Sequence, residues 1–173
     1  MSSSGIVQVA TLRGSPLTEP WDLAVRLFSL LNPGVHTELW WNGFRFLATD
    51  GGVQVYELDR ETVDDDWYVV DVHVSDIDLA LGFVDAALDS SADYGIDVLE
   101  CALWYRSDDL DCCRPSTWDC VFCSQFVLLF LRWCDVHRLL GDVDGRLFWS
   151  VNSKGCLPSR LEIILRRVFG NKP

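Results

Sequence analysis

The stretch GVHTELWWNGFRFLAT, Gly34 to Thr49, decides the fold class. Two runs of aromatic and β-branched residues, Val35 to Trp41 and Phe44 to Thr49, flank Asn42-Gly43. Asn-Gly between such runs is the strongest short hairpin signal, because both central residues of the tight turn need positive φ. Asp50-Gly51-Gly52 turns the chain again into a third strand, VQVYEL. After the charged loop DRETVDDD, the run WYVVDVHV makes a fourth. Apolar residues on both its faces predict a place inside the sheet. Upstream, GIVQVATL over residues 5–12 reads as a short strand, and Gly14-Ser15-Pro16 as a turn.

Helical periodicity surrounds this sheet. Leu23, Leu27, Leu30 and Leu31 align on one side of 21–31, and Asn32-Pro33-Gly34 ends that helix. Over 76–89, Ile77, Leu81, Val84 and Leu88 form a buried stripe, with Ser75 and Asp78 as a capping box. Residues 94–105 fit helix or strand, and the polar stretch 106–119 reads as a loop. The most apolar segment is the helix expected over 123–140, followed by a strand at GRLFWSVN and a last helix opened by Pro158 and closed at Gly170. No repeat or linker divides the 173 residues. The expectation is one α+β domain over 1–173, with a small antiparallel sheet packed against helices.

Composition narrows the function classes. Hydrophobic residues make up 49% and charged residues 23%, which excludes disordered and low-complexity classes. The formal charge of −12 argues against sequence-independent nucleic-acid binding, which needs a basic surface. Asp64 to Asp119 carries 15 acidic and two basic residues, enough to account for the whole net charge. That stretch reads as a solvated acidic face, with a docking surface for a basic partner as the functional alternative. The longest uncharged apolar run, Cys120 to Leu131, has 12 residues. A membrane span needs roughly 20, so a buried helix and no transmembrane segment are expected. The first residues lack a secretory pattern, which points to the cytoplasm and reduced thiols.

Seven cysteines and three histidines hold the candidate chemistry. Cys101, Cys134 and Cys156 read as small buried hydrophobes. Cys120-x-x-Cys123 and Cys134-x-x-His137 have the look of zinc-ligand pairs. One continuous helix between them would hold Cys123 and Cys134 about 16 Å apart, too far to share a metal. A metal would need Cys112 or Cys113 to join Cys120 and Cys123. No metal or organic cofactor is expected. His73 sits mid-strand and reads as packed; His137, late in the long helix, suits the dipole there. His36 opens a hairpin strand, where the sheet fixes it beside solvent. Cys123 falls at a helix N-terminus, where unpaired N–H groups and the dipole favour thiolate and can hold an oxyanion. Thiol and imidazole together are the parts of a nucleophile–base pair.

These same residues resemble a family. Gly34 to Phe46, with the turn Gly51-Gly52 and the strand after it, is similar to the His-containing hairpin of the PPPDE desumoylating isopeptidases, which have a circularly permuted papain-like fold. The later W-x-V-V-D-V strand, amphipathic helix, Tyr94 and cysteine helix follow in the same order. The family's N-C-x-x-F motif would fall on Phe122 to Phe126, with Phe122 in place of Asn. On that point, and in the long insert before Cys123, the chain looks closer to bacterial permuted NlpC-type hydrolases. Lecithin:retinol acyltransferase-like proteins share the His-then-Cys order. The resemblance covers about residues 5–140 and implies His36 as base and Cys123 as nucleophile.

Some relatives orient the imidazole with a third polar residue on the next strand. Here that place falls on Ala48, which cannot do so; Thr49 beside it could, or a dyad suffices. Glu38 lies on the same strand face as His36 but is read as an exposed strand residue. The implied activity is a cysteine peptidase or isopeptidase without cofactor, acting on a protein or peptide substrate such as a ubiquitin-like conjugate or a polyprotein. The alternatives are a thiol acyltransferase or lipid hydrolase, with Trp40 and Trp41 as groove or core, and a binding scaffold with a spent site. Substrate identity and oligomeric state stay open at this point.

Overall fold

The computed structural model describes residues 4–13, 34–49, 51–59, 65–90, 93–94, 120–136, 146, 151, 153 and 156–170. The chain forms β1 (Gly5–Arg13), β2 (Gly34–Trp41), β3 (Phe44–Thr49), β4 (Gly52–Glu57) and β5 (Trp67–Val74). Then come α1 (Ile77–Leu88), β6 (Asp93–Tyr94), β7 (Cys120–Val121), α2 (Cys123–Trp133) and α3 (Pro158–Phe169). The first five strands make one antiparallel sheet in the order β4-β3-β2-β1-β5, and β6 and β7 pair in parallel. The architecture is α+β.

The hairpin forms for the reason its turn residues predict. Asn42 and Gly43 both adopt positive φ, 51° and 81°, matching the right-handed twist of β2 and β3. Alternation then gives the sheet two unlike faces. Val7, Val9, Leu39, Val70 and Val72 point to one side and share a single core with Phe83, Phe126, Phe130, Leu161 and Leu165 from the three helices. The other side carries Gln8, Asp71 and His73, of which Asp71 and His73 are exposed. β5 is an edge strand among the described residues, not an inner one as its apolar run suggested, and His73 is therefore solvated rather than packed.

α1 is capped by Asp76, whose carboxylate accepts the Leu79 N–H at 3.1 Å. The cap is one residue later than the Ser75 box. Its buried face is Ala80, Phe83, Val84 and Ala87, whereas Leu81 is exposed. Phe83 sets this rotation, packing its ring against Phe126, Phe130 and Trp133 of α2 at centroid distances of 5.6–6.1 Å. α2 buries ten of its eleven residues. It ends at Trp133, short of residue 140, because Asp135 turns to φ 53°. Arg146 is helical and Val151 lies in a bend, so no strand forms at those points of GRLFWSVN.

α3 starts with Pro158 at its first turn and packs on β2, β5 and α2. Buried Glu162 fastens it, accepting from Arg13 of β1 and, at 2.7 Å, from Arg166. Both guanidinium groups also lie over the Tyr68 ring of β5. Burial first, then Glu162, raise the Tyr68 hydroxyl pKa against a smaller opposing effect of Arg13.

The helix expected over 21–31, the 106–119 loop, most of 94–105, Cys101, Cys112, Cys113 and His137 lie outside the described residues. Among the described residues no helix is long and apolar enough to cross a membrane.

Candidate functional site

A break in the sheet builds the site. β2 pairs with β3 only over Leu39–Trp41, while Leu47, Ala48 and Thr49 of β3 pair onward with β4 alone. The first half of β2, Gly34 to Glu38, is held by β1 and leaves its other edge without a β3 partner. The N-terminus of α2 meets that edge, and the Thr37 N–H, freed from the ladder, donates to the sulfur of Cys123.

Cys123 is the first residue of α2. Its N-cap is Phe122, which has no capping oxygen, so the early N–H groups of the helix are not taken by a cap side chain. The Ser124 N–H donates to the Cys123 sulfur instead. Ser124 is itself fixed, its hydroxyl donating to the Cys156 carbonyl. The segment therefore aims helix donors at the thiol, where an ordinary N-cap would have satisfied them.

His36 and Cys123, 87 positions apart in sequence, are in hydrogen-bonding contact. Burial by itself raises the Cys123 pKa. The His36 charge, its hydrogen bond, and the Thr37 and Ser124 N–H groups outweigh that and bring it below its ordinary 9.0. Burial likewise works against a charged His36, yet Cys123 and Glu38 raise the imidazole from 6.5 to about 10. The pair therefore favours thiolate and imidazolium. Cys123 is only 3% exposed, but the His36 side chain keeps 23%, so the imidazole is the part of the pair that meets solvent.

Behind His36 stands Glu38, which its strand setting had suggested was exposed. It is fully buried. Its Oε1 accepts from His36 Nε2 at 3.2 Å and from Arg45, and its Oε2 accepts from Trp40 Nε1 at 2.8 Å. Burial raises a carboxyl pKa; here the His36 bond and charge, then Trp40 and Arg45, prevail and lower it. Trp40 is 5% exposed and packs on Trp67 at 5.0 Å, so it is core and a carboxylate donor rather than the wall of a groove. Ala48 is buried in the core on the opposite sheet face. The polar group behind the imidazole comes from its own strand.

The signal for Glu38 was present in the sequence. His36, Glu38 and Trp40 alternate onto one face, and Arg45 is the register partner of Trp40. A carboxylate flanked by an indole N–H and a guanidinium has the donors that burial requires.

Of the three cysteines read as small buried hydrophobes, Cys134 and Cys156 are described, and both are buried. Neither is in a disulfide. Cys134 sits at the far end of α2 from Cys123, where burial, then Asp135 and Asp76, push its pKa up to about 12. Among the described residues no three His, Cys, Asp or Glu side chains converge as a metal site would require.

No family model, curated protein or solved structure matches the chain.

Proposed function

We propose that this protein is a cysteine hydrolase of amide bonds, with Cys123 as nucleophile, His36 as acid and base, and Glu38 as the residue that positions the imidazole. The observation that carries the reading is the contact of a buried helix-N-terminal thiol with an imidazole that has a buried carboxylate on its other side. Structural cysteines are inert and have raised pKa values, as Cys134 does. Nothing in core packing alone calls for the opposite arrangement at Cys123.

The chemistry follows from the groups present. The Cys123 thiolate adds to the substrate carbonyl carbon, and charge collects on the carbonyl oxygen. In this reading the N–H groups at the start of α2 hold it. The C–N bond breaks as His36 gives its proton to the departing amine, leaving a thioester on Cys123 and a neutral imidazole. Water then attacks the thioester, His36 takes one of its protons, and the C–S bond breaks to give a carboxylic acid, which loses its remaining proton to solvent, while thiolate and imidazolium are restored. The Glu38 carboxylate accepts from Nε2 throughout, which fixes the ring and stabilises its charged form. The resemblance to permuted papain-fold enzymes supports the same assignment of base and nucleophile, and it favours a peptide or isopeptide substrate in the cytoplasm.

A peptide amide ending in a vinyl sulfone tests this, run beside a long-chain acyl p-nitrophenyl ester and read by intact-mass spectrometry. The expected result is one adduct from the peptide probe, mapped to Cys123, absent in Cys123→Ser and slowed about 10²-fold in His36→Ala. Modification by the acyl ester alone would move the assignment to acyl transfer or lipid hydrolysis. No modification by either would leave a binding scaffold.

A further inference from the structure

α1 and α3 each present an outward face that packing within the chain does not explain. On α1, Asp78, Gly82, Asp85 and Asp89 follow one another at helical spacing and form a single exposed stripe. Exposed Leu79 and Leu81 flank it. Gly82 is at its centre. Glycine inside a helix is destabilising relative to alanine, and a Cβ on Gly82 would meet no atom within 4 Å. Nothing inside the molecule calls for the missing side chain. The aspartates are unfavourable as well. Asp85 and Asp89 lie one turn apart at the end of α1 that the dipole makes negative, and the last turn holds no basic residue. None of the ion pairs among the described residues takes up Asp78, Asp85 or Asp89.

On α3 the pattern is the converse. Arg160, Ile163 and Arg167 form a stripe with Arg166 beside it, and all four are exposed. Ile163 is 53% exposed, more than any other large apolar side chain among the described residues. Glu162, the only acid of the helix, is buried and turned to Arg13 and Arg166. The outer face of α3 is thus cationic around a protruding isoleucine, and that of α1 is anionic around a notch. The two stripes match along their length. Setting Ile163 on Gly82 brings arginines towards aspartates on both sides of the contact, and the absent Cβ lets the helices approach closely enough to bury the isoleucine. The faces do not meet within one molecule: α2 touches both helices, while α1 reaches β4 at one edge of the sheet and α3 reaches β5 at the other.

We propose that α1 of one molecule docks on α3 of a second copy of this chain, with Ile163 seated at Gly82 and the flanking arginines on the flanking aspartates. The two faces are different surfaces, so the contact is head-to-tail and each copy has one of each to offer. Neither face includes a residue of the Cys123 site.

Sedimentation equilibrium under reducing conditions tests this, at up to about 0.5 mM protein because contacts of less than about 1,200 Å² are weak. The weight-average mass should rise with concentration above that of one chain. Raising salt from about 0.05 M to about 0.5 M should weaken association about fivefold or more, the scale of two or three exposed ion pairs. Gly82→Gln and Ile163→Asp should each leave a monomer with the far-UV dichroism and the Cys123 iodoacetamide rate of the parent. Glutamine is the better helix former, so the loss of association in Gly82→Gln does not come from unfolding. Mixed in equal amounts, the two variants should form a heterodimer and nothing larger, because the intact α3 of one meets the intact α1 of the other. A parent that stays monomeric, association that survives either substitution, or variants that do not recover association on mixing would overturn the proposal.

Discussion

At the scale of single residues, four side chains set two cationic and two anionic groups in alternating sign: thiolate, imidazolium, carboxylate, guanidinium. The order makes each charge depend on the next. Cys123 titrates below its ordinary 9.0 because His36 is charged, and His36 stays charged to about 10 because Cys123 and Glu38 face it. Iodoacetamide should therefore label Cys123 faster than Cys134 or Cys156, with a rate that falls only as pH drops through the lowered thiol value. In His36→Ala, burial acts without its main opponent, so the acid limb should move upward, towards or past 9.0. Turnover should have a second limb near pH 10, where His36 loses the proton it gives to the amine. Glu38→Gln should move that limb downward, because a neutral amide no longer stabilises imidazolium. It should also lower kcat by at least about tenfold, and by up to about 10⁴-fold where the ring takes the wrong tautomer. A fall in rate with an unmoved limb would reduce Glu38 to packing. The sequence alone misses Glu38 because a charged residue on a hairpin strand is usually solvated. His36 and Cys123 were accessible to it because strand edge and helix start are legible from local pattern.

At the scale of elements, the hairpin was readable and helix rotation less so. Asn42-Gly43 carries its geometry in its own backbone preferences, whereas the buried face of α1 is chosen by a partner. Leu81 and Leu88 gave an acceptable stripe by hydropathy. Phe83, meeting three rings of α2, turns the helix so that Ala80 and Ala87 go inward and Leu81 outward. Small residues there let the helices approach. Phe83→Ala should cost about 3–5 kcal/mol in urea unfolding, the range for a fully buried ring whose cavity cannot close. Leu81→Ala, in contrast, should cost less than about 1 kcal/mol. Equal losses would restore the stripe that hydropathy favours. The end of α2 was similarly out of local reach, since the periodic pattern runs on through residue 140 while the backbone leaves the helix at Asp135.

For the molecule as a whole, α3 and β1 come from opposite ends of the chain and meet through Glu162 and Arg13, 149 positions apart. Glu162 is 1% exposed, whereas its two arginines keep 29% and 45%. Removing the carboxylate lets both cations turn to water, so the loss is smaller than for a fully buried pair. Glu162→Gln should cost about 1.5–3 kcal/mol, the value of hydrogen bonds to a charged partner. A substitution neutral at pH 7 would mean that α3 is held by Leu161, Leu165 and Val168 alone. Pairings of this span leave no trace in local sequence, which is why the α+β class was legible and the sheet order and the acid–arginine clasp were not.

The gap between β2 and β3 also has a consequence for synthesis. The hairpin with its imidazole leaves the ribosome well before the segment bearing the thiol, and the two meet only when α2 enters the opening. Until then the nascent chain holds an ordinary cysteine, mostly protonated in a neutral cell, with no imidazolium beside it. A truncated or misfolded copy is thus chemically quiet, and the appearance of a fast-alkylating thiol marks the moment at which the two halves of the chain come together.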